Sequence, residues 1–292
     1  MKGKQRSRTA ETVAACRAWH LVHEDPIVFR DPFAIQLMPR TMRMIIKSRF
    51  LKRLIAGRKK YAYMCPLRAE ILGRACFAEE QLEKAIKVGI NQYVVLGAGL
   101  DSFALRRGDL TSSLKVYELD HPVSQSAKRS RLANLNIDLP KNLEFVPIDF
   151  ERESVADALT RSSCSNEQPA FFSWLGVIPY LTHEAIFDTL RLIAAYAKSG
   201  SEIVFDYHIS KELIDPVDVP IRDWVERSVA RRGEPQITTL DPNTLEHAVH
   251  DLGFELIEHL SPAEQKKRYF AGRKDGLRPI SYAYFAHFRL RM

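Results

Sequence analysis

The run Val94–Arg106, VVLGAGLDSFALR, constrains this 292-residue chain more than any other stretch. An apolar strand enters two glycines one residue apart, then an aspartate, then a helix-like segment. So tight a turn at the C-terminal end of a strand needs glycine, which alone tolerates the backbone angles and lets a ligand approach the main chain. The next run, Val116–Pro122 or VYELDHP, adds a carboxylate: Asp120 lies 21 residues beyond Gly99, at the end of a second strand-like segment. That spacing puts a carboxylate where it can accept hydrogen bonds from a ribose. The pattern predicts a nucleoside-containing cofactor held above the strand ends.

The rest of the chain supplies a matching frame. Apolar strand candidates fall at 92–96, 114–119, 143–148, 170–174 and 202–206, with helical patterns near 102–108, 122–135, 151–160 and 183–198. Strands alternating with helices predict a parallel sheet covered on both faces. Helices at 220–231 and 242–252 follow, then strands at 254–259 and 281–290 with no helical pattern read between them. Those two strands are expected to pair antiparallel at one edge. Before residue 92 only helices are expected, at 8–23, 33–38, 41–56 and 66–87, the last stopping before Gly89. Residues 1–90 are read as a helical extension or lid of the same domain, and 91–292 as its cofactor-binding core.

Composition narrows the class. A hydrophobic content of 46% and a charged content of 27% are ordinary for a soluble globular protein. No apolar run approaches the ~20 residues that span a bilayer, and the basic N-terminus MKGKQRSRTAET lacks the apolar stretch of a secretory signal. Cys16, Cys65, Cys76 and Cys164 are scattered without a CxxC pair, which predicts reduced thiols in the cytoplasm and no metal site. The net charge of +7 is concentrated: no acid lies between Asp31 and Glu70, where ten Lys and Arg residues run from Arg40 to Arg68. This stretch reads as a solvated basic surface, or as one that meets an acidic substrate or carrier. No nucleic-acid module accompanies it, and nothing marks a membrane partner.

Asp101, Asp120 and Asp149 each close or follow a strand-like run, and strand C-termini in an open parallel sheet converge on one crevice. Asp149, in FVPIDF, is placed either to receive an adenine amine, with Phe150 against the base, or to cap a helix at 151–160. Asp101 can cap the helix after the glycine turn and still touch the cofactor.

These residues resemble a known family. LGAGLDSFALR is similar to the LGAGLDTRAYR signature of the leucine carboxyl methyltransferase-like, S-adenosylmethionine-dependent methyltransferases. VYELDHPVSQSAKRSRL, FVPIDF, FFSWLGVIPYLTHEAI and GSEIVFDYH resemble its later blocks, and RDPFA and the Arg74 helix match upstream, so the likeness spans roughly residues 10–290. It implies an α/β, Rossmann-like class I methyltransferase fold: a seven-stranded, mostly parallel sheet with helices on both faces and an N-terminal helical cover. It also implies S-adenosyl-L-methionine as methyl donor, S-adenosyl-L-homocysteine as product, and no metal. Arg74 then stands, 23 residues before Gly97, where the family keeps an arginine for the methionine carboxylate, a task suited to the planar guanidinium fork. Gly97, Gly99, Asp101, Asp120, Asp149, Phe150 and Leu175 would complete the cofactor site. Two positions depart from the pattern: Leu175 precedes Gly176 where the family often has an acid, and Glu79 stands where Asp is usual.

Methyl transfer from a sulfonium is an in-line displacement in which the protein aligns the acceptor and, for a hydroxyl, assists its deprotonation. A carboxylate is already ionised and needs cations or hydrogen-bond donors instead. Tyr180, Tyr207, His208 and Arg222 follow strands four and five and are the candidates for acceptor chemistry, although Tyr180 and His208 can equally be packing residues. The leading expectation is an O-methyltransferase acting on a carboxylate or hydroxyl of a small molecule, with the C-terminal carboxylate of a protein as the alternative acceptor. A nicotinamide-dependent oxidoreductase, with Ser102 at the third glycine position of GxGxxG, and a cofactor-binding protein without catalysis, suggested by Leu175, are the readings of another class.

Overall fold

The computed structural model describes residues 8–48, 50, 53, 59–150 and 152–291. The chain begins with helices α1 (Arg8–His23), α2 (Pro32–Gln36), α3 (Arg40–Lys47) and α4 (Lys59–Lys87). The alternating part follows as β1 (Gln92–Leu96), α5 (Phe103–Arg106), β2 (Lys115–Asp120), α6 (Pro122–Asn134), β3 (Leu143–Pro147), α7 (Val155–Thr160), β4 (Phe171–Trp174), α8 (His183–Tyr196) and β5 (Glu202–His208). It closes with α9 (Val219–Ala230), α10 (Pro242–His250), β6 (Phe254–Leu260), α11 (Pro262–Tyr269) and β7 (Ala283–Leu290).

Among the described residues the strands form one seven-stranded sheet in the order β3-β2-β1-β4-β5-β7-β6. The pairs from β3 through β5 are parallel, and β7 runs antiparallel to both β5 and β6. The strand order reverses between β1 and β4, and such a switch opens a crevice at the strand C-termini. β1 shows why its sequence is apolar throughout. Val94 and Leu96 pack into one core with Leu119, Phe172 and Phe205, while Tyr93 and Val95 face the other with Phe171 and Val204. Successive side chains on a strand point to opposite faces, so a central strand covered on both sides is buried at every position.

The helical prefix is welded to that frame. Phe77, Ala78 and Leu82 of α4 pack under the sheet in the second core. Asp31, wholly buried, accepts hydrogen bonds from Phe33 N (3.1 Å) and Ala34 N (2.9 Å) and so starts α2. Arg68, part of the basic stretch, is not a surface charge: it turns inward to Glu24 at 2.7 Å, whereas Arg40 and Lys47 are exposed. No helix among the described residues is long and apolar enough to cross a membrane.

Three elements differ from the sequence reading. α4 starts at Lys59 and runs through Pro66 rather than starting there. Proline lacks the donor and crowds the preceding turn, so it reads locally as a helix start. α3 ends at Lys47, and most of the remainder of the helix expected at 41–56 lies outside the described residues. The third difference is α11, which the sequence reading omitted between the last two strands. Its signal is present in SPAE: Ser261 N donates to the Glu264 carboxylate (2.8 Å), Glu264 N donates to Ser261 Oγ (3.4 Å), and Pro262 occupies the first turn.

Beneath the crevice, Glu118 of β2 and Lys128 of α6 form an almost fully buried ion pair at 2.5 Å. Burial pushes the Glu118 carboxyl up from the usual 4.5 to about 7 against the opposing pull of Lys128. Above pH 7, where both groups are charged, removing one partner strands the other, so Lys128→Met should cost about 3–5 kcal/mol in urea unfolding, and Glu118→Gln/Lys128→Met should recover most of it. Between pH 4.5 and about 7 the folded chain retains a proton at Glu118 that the unfolded chain has released. This group's contribution to stability therefore falls as pH rises through that window, and Glu118→Gln should flatten the decline; an unchanged slope would contradict the assignment.

Candidate active site

The glycine turn is stitched to the end of β2. Gly97 N and Ala98 N donate to Leu119 O at 2.8 and 3.1 Å, and Gly99 N donates to Asp120 Oδ2 at 2.5 Å. Asp120 Oδ1 accepts from His121 N at 2.6 Å. Gly97 has φ +71°, and a Cβ there would lie 2.7 Å from Val177 Cγ2, so both backbone and packing require glycine. Burial raises the Asp120 carboxyl above its usual value while the two backbone N–H groups oppose it. Asp101 accepts from Phe103 N at 2.7 Å and lies 3.6 Å from Arg17. Burial works against its ionisation, but Arg17, Lys128 and Arg106 outweigh it and hold the carboxyl below its usual value.

Asp149 follows β3, yet it does not cap the next helix: Ser154 Oγ accepts from Asp157 N (3.1 Å) and caps α7. Asp149 and the partly exposed Phe150 instead line a cavity of about 410 Å³ above the glycine turn. Gly97, Gly99, Asp101, Asp120, Leu175 and Arg74 line the same cavity. Its roof comes from Thr9, Ala10, Val13 and Arg17 of α1 and from Gly233, Glu234, Pro235 and Ile237. The Thr9 hydroxyl donates to Glu234, which ties the two parts of the roof together.

Arg74 reaches this wall from α4. Its Nη1 donates to Asp206 Oδ2 at 3.0 Å and lies 3.8 Å from Glu70 Oε1. Asp206 of β5 is fully buried and accepts from Gly176 N at 2.6 Å. Gly176 has φ +69°, and a Cβ there would lie 2.4 Å from Arg74 Nη2, so glycine leaves room for the guanidinium. Arg74 Nε is buried with no hydrogen-bond partner among the described residues. Asp206 and Glu70 were not singled out in the sequence. Asp206 carried a usable signal, since VFDYH places an acid near a strand end in the manner of Asp120. Glu70 carried none beyond its i, i+4 relation to Arg74. Leu175, where the family often has an acid, packs against the second core as well as lining the cavity.

The acceptor candidates separate. Tyr180 lines the cavity and also a smaller adjoining compartment of about 110 Å³, which His208 lines as well. His208 Nε2 lies 3.0 Å from Glu70 Oε1. Tyr207 is placed elsewhere: strand alternation turns it to the opposite face of β5, where its hydroxyl meets His259 Nε2 at 2.7 Å. Arg222 is outside the cavity walls, with Nε donating to Glu226 at 2.6 Å and Cζ 4.9 Å from the Tyr282 ring centre. Glu79 is bound by Arg106, which donates Nη1 at 3.2 Å and Nη2 at 2.5 Å. Ser102 is buried and accepts from Arg106 Nε at 3.0 Å. Among the described residues, no three His, Cys, Asp or Glu side chains gather as metal ligands.

Residues 10–194 match the model of the leucine carboxyl methyltransferase family. The protein YktD of Bacillus subtilis, named as an S-adenosyl-L-methionine-dependent methyltransferase, is 32% identical over 302 residues, covering 98% of this chain and 99% of YktD. The crystal structure of a protein from Thermobifida fusca, titled as a methyltransferase, superposes with a TM-score of 0.59 at 14% identity, across 95% of this chain and 94% of its own. A DUF574 family protein from Streptomyces avermitilis gives a TM-score of 0.57 at 14% identity, across 94% and 96% of the two chains. The two structural matches speak for the fold, and the sequence matches leave the nicotinamide-dependent reading without support. The chain belongs to the leucine carboxyl methyltransferase family and is an S-adenosyl-L-methionine-dependent methyltransferase.

Proposed function

We propose that the cavity above the Gly97–Asp101 turn holds S-adenosyl-L-methionine and that the methyl group goes to an oxygen of a small molecule. The observation that carries this reading is the pairing of two unlike ends in one cavity: the Asp120 carboxylate at one and the Arg74 guanidinium at the other. Each Asp120 oxygen accepts one backbone N–H and keeps lone-pair capacity for ribose hydroxyls. Arg74 lines the cavity with its Nη1 held between Asp206 and Glu70 and its buried Nε–H without a partner among the described residues, and a guanidinium so placed suits a carboxylate. Asp149 and Phe150 lie beside Asp120 in the wall, where an adenine amine and ring face would meet them. When bound, the donor supplies an electrophilic sulfonium methyl; the protein's share is to align an acceptor and remove its proton.

The roof formed by α1 and residues 233–237 supports a small acceptor over a protein C-terminus. It is held shut by the Thr9–Glu234 bond and by Arg232 Nη1 donating to Thr12 Oγ1 at 3.0 Å. The compartment that adjoins the larger cavity supplies room for such an acceptor.

Two substitutions test the cofactor assignments. Asp120→Asn removes the charge that receives the ribose and should weaken S-adenosylhomocysteine binding by about tenfold or more in calorimetry, the scale of one hydrogen bond to a charged group; unchanged affinity would refute the ribose role. Arg74→Lys keeps a positive charge but loses the fork. It should weaken S-adenosylhomocysteine by about tenfold or more while leaving adenosine, which has no carboxylate, nearly unaffected. Equal losses for both ligands would place the carboxylate away from Arg74.

A further inference from the structure

The smaller compartment meets the larger cavity at a shared wall of Thr9, Val13, Arg74, Gly176 and Tyr180. Its sides are largely apolar, with Leu67 and Ile71 from α4 opposed to Trp224 and Val229 from α9. Buried polar groups also line it: His208, Glu70 and Tyr282. Glu70 is bound to the Nε2 side of the imidazole at 3.0 Å. His208 Nδ1 and the Tyr282 hydroxyl are buried without hydrogen-bond partners among the described residues. Buried polar atoms are rarely left unpaired, and these two, on residues that line one compartment, point to a ligand that completes them.

We infer that this compartment is the acceptor site and that it takes a single-ring phenol, whose hydroxyl yields its proton to His208 Nδ1. The inference rests on the larger cavity being the cofactor site. A carboxylate bound to Nε2–H leaves Nδ1 as the bare, proton-accepting nitrogen, and it stabilises the imidazolium that forms. The step balances. The phenolic O–H bond breaks and its proton goes to Nδ1. The oxygen forms the new bond to the methyl carbon while the methyl–sulfur bond breaks, its electron pair remaining on sulfur as a neutral thioether.

Three observations select the acceptor class. A carboxylate acceptor would meet the Glu70 carboxylate, and the two cations that line the compartment are committed, Arg74 to Asp206 and the cofactor carboxylate and Arg232 to Thr12 Oγ1. An aliphatic alcohol, with acidity near that of water, lies too far from imidazole for efficient proton transfer, whereas a phenol near pKa ~10 is within reach. The volume of about 110 Å³ is of the order of the ~150 Å³ apolar cavity that accommodates benzene, and the Trp224 and Tyr282 rings offer aromatic walls.

The test uses the whole protein and two independent readouts. Long-range 1H–15N spectra, with the His208 signal identified by its loss in His208→Gln, show which ring nitrogen carries the proton. The expected result is a protonated Nε2 and a bare Nδ1, with Glu70→Ala giving a mixture of tautomers. Labelled methyl transfer to phenol, catechol and 4-methylphenol is then compared with transfer to benzoate. At least one phenol should be methylated and benzoate should not. His208→Gln should lower kcat by about 10²- to 10⁴-fold with S-adenosylhomocysteine affinity retained, and Glu70→Ala should lower kcat without raising KM. A protonated Nδ1, transfer to benzoate, or no transfer to any of the three phenols while S-adenosylhomocysteine still binds would overturn the inference. Failure to bind S-adenosylhomocysteine at all would instead overturn the cofactor reading beneath it.

Discussion

The buried contact between Arg74 and Asp206 holds the site together. It joins α4 of the helical prefix to β5 of the sheet, and through Gly176 N it also fixes the turn that leaves β4. A buried ion pair recovers little net stability, because both charges lose their water. What it secures is geometry: a guanidinium whose Nη1 is held between Asp206 and Glu70, a buried Nε–H without a partner among the described residues, and a glycine beside it that cannot carry a side chain. The prefix therefore supplies part of the cavity wall. Without α4 the crevice would keep its carboxylates and lose the guanidinium beside Gly176.

The sheet explains why those carboxylates meet. Asp120 ends β2 and Asp149 follows β3, while the glycine turn follows β1, so adjacent parallel strands deliver all three to one edge. This much was legible in the sequence, because each element announces itself locally: an apolar run, then glycine or an acid. Asp206 follows the same rule, but the family pattern places the fourth acid at position 175, where leucine stands. The neighbouring strand carries an acid that holds Gly176 from the other side.

Other features depend on information that sequence order does not display. Tyr207 and His208 are adjacent in the chain, and strand alternation sends one to His259 and the other to Glu70. Nothing local decides which faces the crevice. Glu70 finds His208 across 138 residues, a purely tertiary contact. The start of α4 was hidden by Pro66, whose cost the packing of a 29-residue helix absorbs. α11 is different in kind: its capping box, Ser261 with Glu264, is a local signal in the sequence.

The proposed site is thus one cavity with a carboxylate and a guanidinium at its ends, and a smaller compartment beyond the guanidinium. A crystal structure of the protein with S-adenosylhomocysteine tests it most directly. The account predicts the ribose hydroxyls on Asp120, the adenine beside Asp149 and Phe150, the amino-acid carboxylate on Arg74, and the sulfur facing the compartment that contains His208. A ligand bound outside this cavity, or one whose carboxylate lies away from Arg74, would contradict it.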